Sequence, residues 1–236
     1  MRRGILLAGS IAGVVILLVL VLGRLGELME PAIRPAVGRQ EKTLVLDAGH
    51  GGEDGGAVSL TGVPESQINL AIVLNMRDIL GLYGVDPVLL READISLHSE
   101  GADTLREKKT SDLKNRVAAV EALPDATLIS IHQNTYTSSR YQGTHVFYAP
   151  TPGSKELAEQ IQEAIQIGLQ PDNERIVKEI YDTVYLMNHI TCPAVLVKCG
   201  FLTNPEEEAR LREPGYQKQL AAVIAGEYLA YGRNLA

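Results

Sequence analysis

The chain of 236 residues has no tryptophan, only two phenylalanines and only two cysteines. A core is still possible, because 45% of the residues are hydrophobic and the length suits one ordinary domain with an appendage. Cys192 and Cys199 lie in an apolar run that reads as a strand, which separates them by about 20 Å at roughly 3.3 Å per residue. Since a disulfide needs Cα atoms within about 7 Å, we predict two buried free thiols.

The chain also lacks runs of like charge and internal repeats. Its net charge is −7, and residues 1–42 carry six basic and three acidic side chains. The remaining 194 residues therefore carry a net charge of −10. An acidic domain of this kind is unsuited to nucleic acid, whose phosphates require clustered Lys and Arg, so we expect no nucleic-acid partner.

A long hydrophobic run lies at the N-terminus, where 20 uncharged, mostly apolar residues separate Arg3 from Arg24. As a helix, this run is about 30 Å long, which matches the thickness of a bilayer core. A cleaved signal peptide is the rival interpretation, but its apolar region is normally about 7–15 residues and ends at a small-residue cleavage site, which is missing here. We predict a single-pass membrane anchor over residues 1–23, with Arg2 and Arg3 keeping the N-terminus in the cytoplasm.

Residues 24–42 contain two prolines and mixed charges, and they read as a linker to a domain over residues 43–236. With the N-terminus in the cytoplasm, we expect this domain on the extracytoplasmic side of the cell membrane.

Short apolar runs alternate with helical patterns along this domain. The runs that predict strands cover residues 43–47, 86–91, 126–132, 143–149 and 193–200. The helical patterns cover residues 65–83, 112–123, 154–169 and 215–231, with Ser111 placed to cap the second of these helices. This alternation predicts an α/β fold with a twisted, mainly parallel sheet flanked by helices. Residues 91–110 form an irregular excursion between these elements.

Reactive side chains follow two of the predicted strands, at the carboxyl ends where ligands of open parallel sheets gather. The stretch LVLDAGHGGEDGG at residues 44–56 places His50 after the first strand, and LISIHQN places His132 at the end of the third. A phosphate site is excluded, because the glycines match no G-x-G-x-x-G frame and no Lys-Ser or Lys-Thr completes a P-loop. Glu53 and Asp54 would also repel phosphate.

A metal site agrees better with these residues. His50 and His132 can meet at neighbouring strand ends, and Glu65, at the start of the first helix, can complete the set. Zinc takes imidazole and carboxylate ligands, and a catalytic site keeps three protein ligands with a fourth position open to water. No H-E-x-x-H motif fixes the ligands locally, so a loop in which His50 is only a hydrogen-bonded polar residue remains the alternative.

Three motifs at characteristic intervals carry a resemblance to a known family: DAGHGG, SIHQN and GFLTNP. They stand within longer similar stretches, which include ESQINLAIVLNMRDIL, SDLKNRVAAV, GTHVFY and YLMNHITCPAVLVKCGF. Together these stretches resemble the zinc-dependent N-acetylmuramoyl-L-alanine amidases, a family of cell-wall hydrolases, over nearly all of residues 43–232. The stretch YLMNHITCPAVLV and the single predicted anchor make the chain most similar to the spore-cortex and germination-specific members.

The resemblance implies one zinc ion per domain, with His50, Glu65 and His132 as its ligands. It also implies that Asn134, two residues after His132, belongs to the polar groups that line the substrate site. The glycines around His50 would then let the chain turn tightly and leave the metal open to a bulky glycan-peptide.

One position departs from the family pattern. The family has an apolar run, a glutamate, one residue and then Gly-Phe, whereas this chain reads VLVKCGF, with Lys198 at the glutamate position. In the family, that glutamate is taken to act as general acid and base on the zinc-bound water, and a charged lysine cannot accept a proton. Lys198 could act as a neutral base, Glu53 or Asp54 could replace the missing acid, or the domain could have lost most activity. A strand-end lysine that reaches to water, with no chemical role, is the simplest interpretation of the residue alone.

The resemblance implies hydrolysis of the amide between the lactyl group of muramic acid and L-alanine in peptidoglycan, with zinc activating the water. If the chain follows the cortex-specific members, it acts in sporulation. The alternative is a catalytically weak or inactive amidase-fold protein that binds peptidoglycan or a protein partner. Turnover, rather than metal content, separates these two hypotheses.

Overall fold

The computed structural model describes residues 42–234. The predicted anchor over residues 1–23 and nearly all of the predicted linker lie outside the described residues. Within residues 42–234, no helix combines the length and the apolar character that crossing a membrane requires. This part of the chain forms an α/β domain, which confirms the predicted fold class.

Within the described range, six strands form one sheet: β1 (Thr43–Ala48), β2 (Val88–Leu89), β3 (Ala126–Asn134), β4 (His145–Tyr148), β5 (Lys178–Glu179) and β6 (Ala194–Phe201). The helices that flank it are α1 (Glu65–Leu82), α2 (Leu105–Glu121), α3 (Ser154–Gly168), α4 (Tyr185–Asn188), α5 (Pro205–Arg212) and α6 (Pro214–Asn234). The strand order is β2-β1-β3-β6-β4-β5. The first four strands in this order are parallel, β4 is antiparallel to β6, and β5 is parallel to β4. The sheet is therefore mainly parallel, as predicted.

Two apolar layers hold the sheet between its helices. On one face, Leu46, Ile129 and Val197 are fully buried and belong to a cluster shared with α1, α3 and α6. On the other face, Val45 and Leu128 belong to a second cluster that includes residues of α2 and α4. Because the central strands are covered on both faces, their sequences read as continuous apolar runs rather than as alternating patterns.

The two cysteines are free, as predicted, but only one of them is fully buried. Cys199 is buried on β6, and Cys192 is half-buried just before that strand. Burial raises the pKa of Cys199 to about 12 and that of Cys192 to about 11, so both are protonated thiols at neutral pH.

The prediction that Ser111 caps the second helix is wrong, because α2 begins at Leu105 and Thr104 is its N-cap. The Thr104 hydroxyl accepts a hydrogen bond from the Glu107 amide, and the Glu107 carboxylate accepts one from the Thr104 amide. This capping box satisfies backbone donors of the first turn, so the helix starts there. Ser111 lies inside the helix, and its hydroxyl accepts from the Ser99 amide, which ties the preceding excursion to α2.

Several other elements differ from the prediction, and among them β5 and α4 have no predicted counterpart. The second strand pairs with β1 only through Val88 and Leu89, which is shorter than the apolar run suggests. Helix α5 has no counterpart among the predicted helices, because most of its residues are charged and it is only eight residues long. The Asn204 side chain caps it by accepting from the amides of Glu206 and Glu207.

The carboxyl ends of β1, β3 and β6 lie at one edge of the sheet. His132, near the end of β3, is the register partner of Lys198 on β6. A register shift follows directly after His132, between that residue and Asn134. The glycine-rich loop leaves β1 at the same edge, and α1 begins at Glu65, so the sequence-predicted site residues meet there.

Candidate metal centre

The glycine-rich loop after β1 holds His50 in a left-handed backbone conformation, with a φ angle of 63°. This conformation is strained for a residue other than glycine, so the loop needs support from its surroundings. Arg116 donates hydrogen bonds to the carbonyl oxygens of Ala48 and His50 at 3.1 and 2.8 Å. Arg91 donates to the carbonyl oxygens of Ala48 and Gly49 at 2.8 and 3.2 Å. Two buried arginines therefore hold the loop that presents His50.

Arg116 is paired with two carboxylates inside the domain. Its guanidinium contacts Asp47 on β1 and donates to Asp112, one turn earlier on α2, at 2.6 Å. Ser130 also donates its hydroxyl to Asp47, at 2.6 Å. Burial disfavours the charge of Asp47, but the charge of Arg116 and the hydrogen bonds from Arg116 and Ser130, together with His132, outweigh this effect and lower the pKa of the carboxyl. The network therefore stays charged at neutral pH and ties α2 to β1 and its loop.

Gly49 lies directly against the ring of His132. A Cβ atom at this position would lie 2.2 Å from ring atoms of His132, so a side chain has no room there. The Gly49 carbonyl accepts a hydrogen bond from Asn69 on α1 at 3.1 Å, and the Asn69 side chain accepts one from Gln133 at 3.0 Å. These contacts fix the β1 loop against the end of β3 and bring His50 close to His132.

His50, Glu65 and His132 lie together at this edge. One possible ligand atom from each residue lies within 4.8 Å of the other two. Nε2 of His50 is 3.5 Å from one Glu65 carboxylate oxygen, and Nδ1 of His132 is 3.0 Å from the other. Two imidazoles and one carboxylate are the donors of a catalytic zinc site that keeps its fourth position open. The residues present therefore fit a zinc ion.

The protonation states of the cluster also suit metal ligands. Burial disfavours the charge of Glu65, but the hydrogen bonds from His132 and the Gln133 amide, with the charge that the histidines carry in acid, outweigh it and lower the pKa of Glu65 to about 2. The backbone amides of Ala57 and Gln133 donate to this carboxylate at 3.1 and 2.8 Å. Burial lowers the pKa of His132, so its ring is neutral at physiological pH and offers a lone pair.

Asp54 supports the cluster from outside it. Its carboxylate lies 3.0 Å from Nδ1 of His50, whereas Nε2 is the ring nitrogen nearest Glu65. A carboxylate in this position holds the proton on Nδ1 and leaves the lone pair of Nε2 available to a metal ion. The hydrogen bond to His50 lowers the pKa of Asp54, and Lys109 lies 3.4 Å from the same carboxylate. Asp54 therefore acts on His50 rather than as a free proton acceptor.

Glu53, the other acid of the loop, pairs with a residue of α2 rather than with His50. It is exposed and forms an ion pair with Lys108 on α2 at 2.7 Å. The hydrogen bond from Lys108 lowers the pKa of Glu53. Neither acid that the sequence offers in place of the family's glutamate is therefore held in the position that Lys198 occupies.

Lys198 lies on β6 beside His132, and its side chain is half-buried. Its amine donates a hydrogen bond to the carbonyl oxygen of Gln133 at 3.1 Å. Among residues 42–234 it forms no ion pair, although the charge of Glu65 is near enough to raise its pKa. Burial acts in the opposite direction and is the larger effect, so the pKa of Lys198 is lowered. The chain therefore places an unpaired amine at the edge of the cluster.

Asn134 ends β3, two residues beyond His132, and is half-buried. Its side-chain oxygen accepts a hydrogen bond from the Thr135 amide at 3.0 Å. Beyond it, the rings of Tyr136 and Tyr141 meet edge to face with centroids 4.5 Å apart, and they are 54% and 43% exposed. A polar side chain and two exposed aromatic rings therefore continue the edge of the sheet away from the metal cluster.

The residues that position the ligands were not recognised from the sequence. They are Asn69, Arg91, Asp112 and Arg116. A signal for two of them exists, because Asp112, Arg116 and Val120 follow one another at four-residue spacing and all three are buried. Charged side chains at the helical spacing of a buried valine indicate a buried ion pair.

Fold and site together define an α/β domain with a candidate metal centre at the carboxyl ends of its parallel strands. The chain belongs to the N-acetylmuramoyl-L-alanine amidase family, whose profile matches residues 44–227. This membership confirms the resemblance that the sequence motifs indicate.

Similar proteins that carry the name of this family agree with the assignment. The germination-specific N-acetylmuramoyl-L-alanine amidase of Bacillus subtilis (strain 168) is 35% identical over 191 residues, which cover 80% of this chain and 79% of that protein. A solved structure, the CwlD amidase from Clostridioides difficile in complex with the GerS lipoprotein, is 38% identical with a TM-score of 0.77 and covers 81% of this chain and 98% of that chain. Another, an N-acetylmuramoyl-L-alanine amidase from Clostridium difficile 630, is 30% identical with a TM-score of 0.70 and covers 80% and 96%.

Proposed function

We propose that this chain is a zinc-dependent amidase that hydrolyses the bond between the lactyl group of muramic acid and L-alanine in peptidoglycan. The observation that carries the proposal is the cluster of His50, Glu65 and His132 in a chain that belongs to this family. The amide is cleaved by water, which leaves a lactyl carboxylate on the glycan and a free amino group on the peptide.

His50, Glu65 and His132 would hold the zinc ion. Zinc in such a site lowers the pKa of water and polarises a carbonyl group. The chain's own residues make this set ready for metal: Asp54 keeps the His50 proton on Nδ1, and burial keeps the His132 ring neutral. The carboxylate of Glu65 stays ionised at neutral pH, because its pKa is about 2.

The substrate would lie along the edge of the sheet beyond His132. Asn134 offers a side-chain amide there, and Tyr136 and Tyr141 offer exposed aromatic rings. Sugar rings pack on aromatic side chains through their apolar C–H faces, and amides hydrogen-bond peptide groups. These residues therefore suit a glycan with a peptide branch.

Lys198 favours a second candidate function. A protonated lysine cannot accept the proton that the family's glutamate takes, and a positioned base contributes about 10²–10⁴-fold to such reactions. The second candidate is therefore a domain that keeps the amidase fold and the metal cluster but mainly binds peptidoglycan or a partner. The observation behind it is the unpaired amine of Lys198 beside His132.

One experiment separates the two candidates. The full-length chain in detergent, loaded with zinc, is incubated with purified peptidoglycan and with muramoyl peptides, and free stem peptides are measured by mass spectrometry. Release by the native chain that His132→Ala abolishes supports the amidase. Release from Lys198→Glu but not from the native chain supports the binding function. If neither the native chain nor Lys198→Glu releases peptide, the amidase proposal is contradicted.

We also propose a location and a partner class for the chain. The apolar run over residues 1–23 supports a membrane anchor, with the domain on the extracytoplasmic side, where peptidoglycan lies. A role in sporulation is supported by the name of the germination-specific relative, and a protein partner by the lipoprotein in the complex of the Clostridioides difficile protein. Protease protection of the tagged N-terminus in intact cells, with cleavage of the domain in spheroplasts, tests the location.

A further inference from the structure

The amine of Lys198 brings a positive charge to the edge that holds the metal cluster, where the nearby Glu65 carboxylate acts on it. The Glu65 carboxylate accepts hydrogen bonds from the Ala57 and Gln133 amides and contacts the His132 ring. In the described part of the chain, Lys198 has one hydrogen bond, to the uncharged carbonyl of Gln133, and no ion pair. A lysine amine has three N–H donors, so it can donate further hydrogen bonds to a ligand.

The position of Lys198 directs this charge toward the cluster. In register with His132 on the neighbouring strand, its side chain leaves the same face of the sheet, because paired residues of adjacent strands share a face. Its hydrogen bond to the carbonyl of Gln133, the residue after His132, places the amine at the edge where the cluster lies. The N–H donors that the Gln133 carbonyl does not use are therefore open to a ligand at this edge.

The two acids of the glycine-rich loop have other partners than Lys198. Asp54 is bonded to His50 and lies near Lys109, and Glu53 is bonded to Lys108. A glutamate in place of Lys198 would add a second carboxylate to Glu65 and repel an anionic ligand. With lysine, the same edge attracts an anion.

We infer that Lys198 makes this edge a binding site for the lactyl carboxylate of muramic acid from which the peptide has been removed. The inference rests on the proposed function for its ligand class, since hydrolysis of the amide leaves this carboxylate at the carbon that was attacked. The intact amide carries no charge at that carbon, so Lys198 favours the product glycan over the substrate. The chain therefore retains peptide-free muramic acid, either as its own product or as a ligand that another amidase has generated.

The test is a calorimetric titration of the full-length chain, metal-free and zinc-loaded, with three probes. N-acetylmuramic acid carries the lactyl carboxylate, its methyl ester carries the same group without the charge, and N-acetylglucosamine lacks the group. We expect the acid to bind at least about tenfold more tightly than the ester, since charge-assisted hydrogen bonds are the stronger ones. We expect Lys198→Met to remove that preference and Lys198→Arg to keep most of it.

Matched controls identify the cause of any change. Lys155 is exposed on α3 and pairs with Glu159, so Lys155→Met should leave the affinities unchanged. Zinc affinity and thermal unfolding, measured for each variant, show whether Lys198→Met still folds around the cluster. If it does not, Lys198→Gln provides the uncharged comparison.

Equal affinity for the acid and the ester overturns the inference. Persistence of the preference in zinc-loaded Lys198→Met also overturns it, because the metal alone would then hold the carboxylate. Failure of the proposed function is a separate result, which the peptide-release assay with Lys198→Glu reports. Binding of the acid without peptide release supports the inference and leaves the binding function as the better description of the chain.

Discussion

At the scale of single residues, Asp54 and Glu53 stand side by side in the glycine-rich loop but face different partners. Asp54 holds His50, whereas Glu53 pairs with Lys108 at the surface. We expect Asp54→Ala to lower the affinity for zinc by about 10–100-fold, because residues that orient a ligating histidine have effects of this size. Glu53→Ala is the matched control and should change the affinity less than threefold or so, since exposed ion pairs contribute little. Competition with a chromophoric chelator measures the zinc affinity of both variants. Equal losses of affinity would contradict the role of Asp54 in orienting His50.

Gly49 is the glycine whose role is most sharply defined. A methyl group here would lie 2.2 Å from the His132 ring, so Gly49→Ala must displace either the ring or the loop. We expect it to lower the free energy of unfolding by about 1–3 kcal/mol, the cost of overpacking a core, and to weaken zinc binding.

Gly226, inside α6, provides the comparison, because a Cβ there meets nothing within 4 Å. Gly226→Ala should stabilise the chain by about 0.5–1 kcal/mol through helix propensity. Denaturant unfolding of the metal-free variants measures both changes, and a stable Gly49→Ala variant with normal zinc affinity would contradict the packing described here.

The metal cluster could be predicted from the sequence because its residues follow strands in recognisable motifs. His50 and His132 stand at predicted strand ends, and Glu65 starts the first helix. The supporting residues could not be found in this way, since Arg91 acts by donating to backbone carbonyls that no sequence pattern marks. Asp54, proposed as a replacement base, instead orients His50, and only the spatial position of the ring nitrogens shows this.

At the scale of elements, Arg116 joins α2 to β1 and its loop. Replacing it would leave Asp47 and Asp112 buried without their cation and would release the carbonyl of the strained His50. We expect Arg116→Met to reduce the free energy of unfolding by about 3–5 kcal/mol, as for other broken buried ion pairs.

Arg77 is the matched control for this prediction, because its ion pairs with Asp78 and Glu92 lie at the surface. Arg77→Met should cost about 1 kcal/mol or less. Urea unfolding measures both variants. A loss for Arg116→Met no larger than that for Arg77→Met would show that the buried network contributes little.

The start of α2 gives a second test at this scale. Thr104→Ala removes the hydroxyl that caps the helix and should cost about 1 kcal/mol. Ser111→Ala removes one hydrogen bond to the Ser99 amide in an exposed position and should cost less. A larger effect of Ser111→Ala would instead favour a helix that begins at the later residue.

The strands and long helices could be predicted because hydrophobic periodicity is strong within them, as in α1 and β3. The misplaced start of α2 and the missed helix α5 depend on local hydrogen bonds between side chain and backbone. Thr104 with Glu107 moves the start of α2, and Asn204 starts a helix whose own sequence is mostly charged. Such caps are common in loops as well, so a pattern alone does not fix the boundary.

At the scale of the whole molecule, stability should fall in acid. Burial lowers the pKa of His132 and lowers that of His145 to about 4, whereas histidine in an unfolded chain titrates near 6.5. Above about pH 6.5, both histidines are neutral in the folded and in the unfolded chain. Below this pH, the histidines of the unfolded chain bind protons that the folded chain excludes. The free energy of unfolding therefore decreases as the pH falls. Glu65, with a pKa of about 2 against 4.5, extends the loss to lower pH.

Denaturant unfolding of the metal-free chain between about pH 7 and 4 measures this dependence. His145→Gln should make the pH dependence of the free energy of unfolding shallower. Glutamine does not titrate, but it can still donate a hydrogen bond to the Ile176 carbonyl that His145 contacts. A stability that is constant over this range, or that rises in acid, would contradict the buried neutral histidines.

Lys198 has a consequence for how this chain can change over generations. The codons for lysine and glutamate differ only in their first base, so a single nucleotide substitution would place the family's glutamate on β6. The cluster, the loop and its two arginines already stand around that position, and none of them has to move to receive the smaller side chain. Cells selected for wall cleavage by this protein should therefore regain the glutamate quickly, whereas cells that depend on glycan retention should keep the lysine.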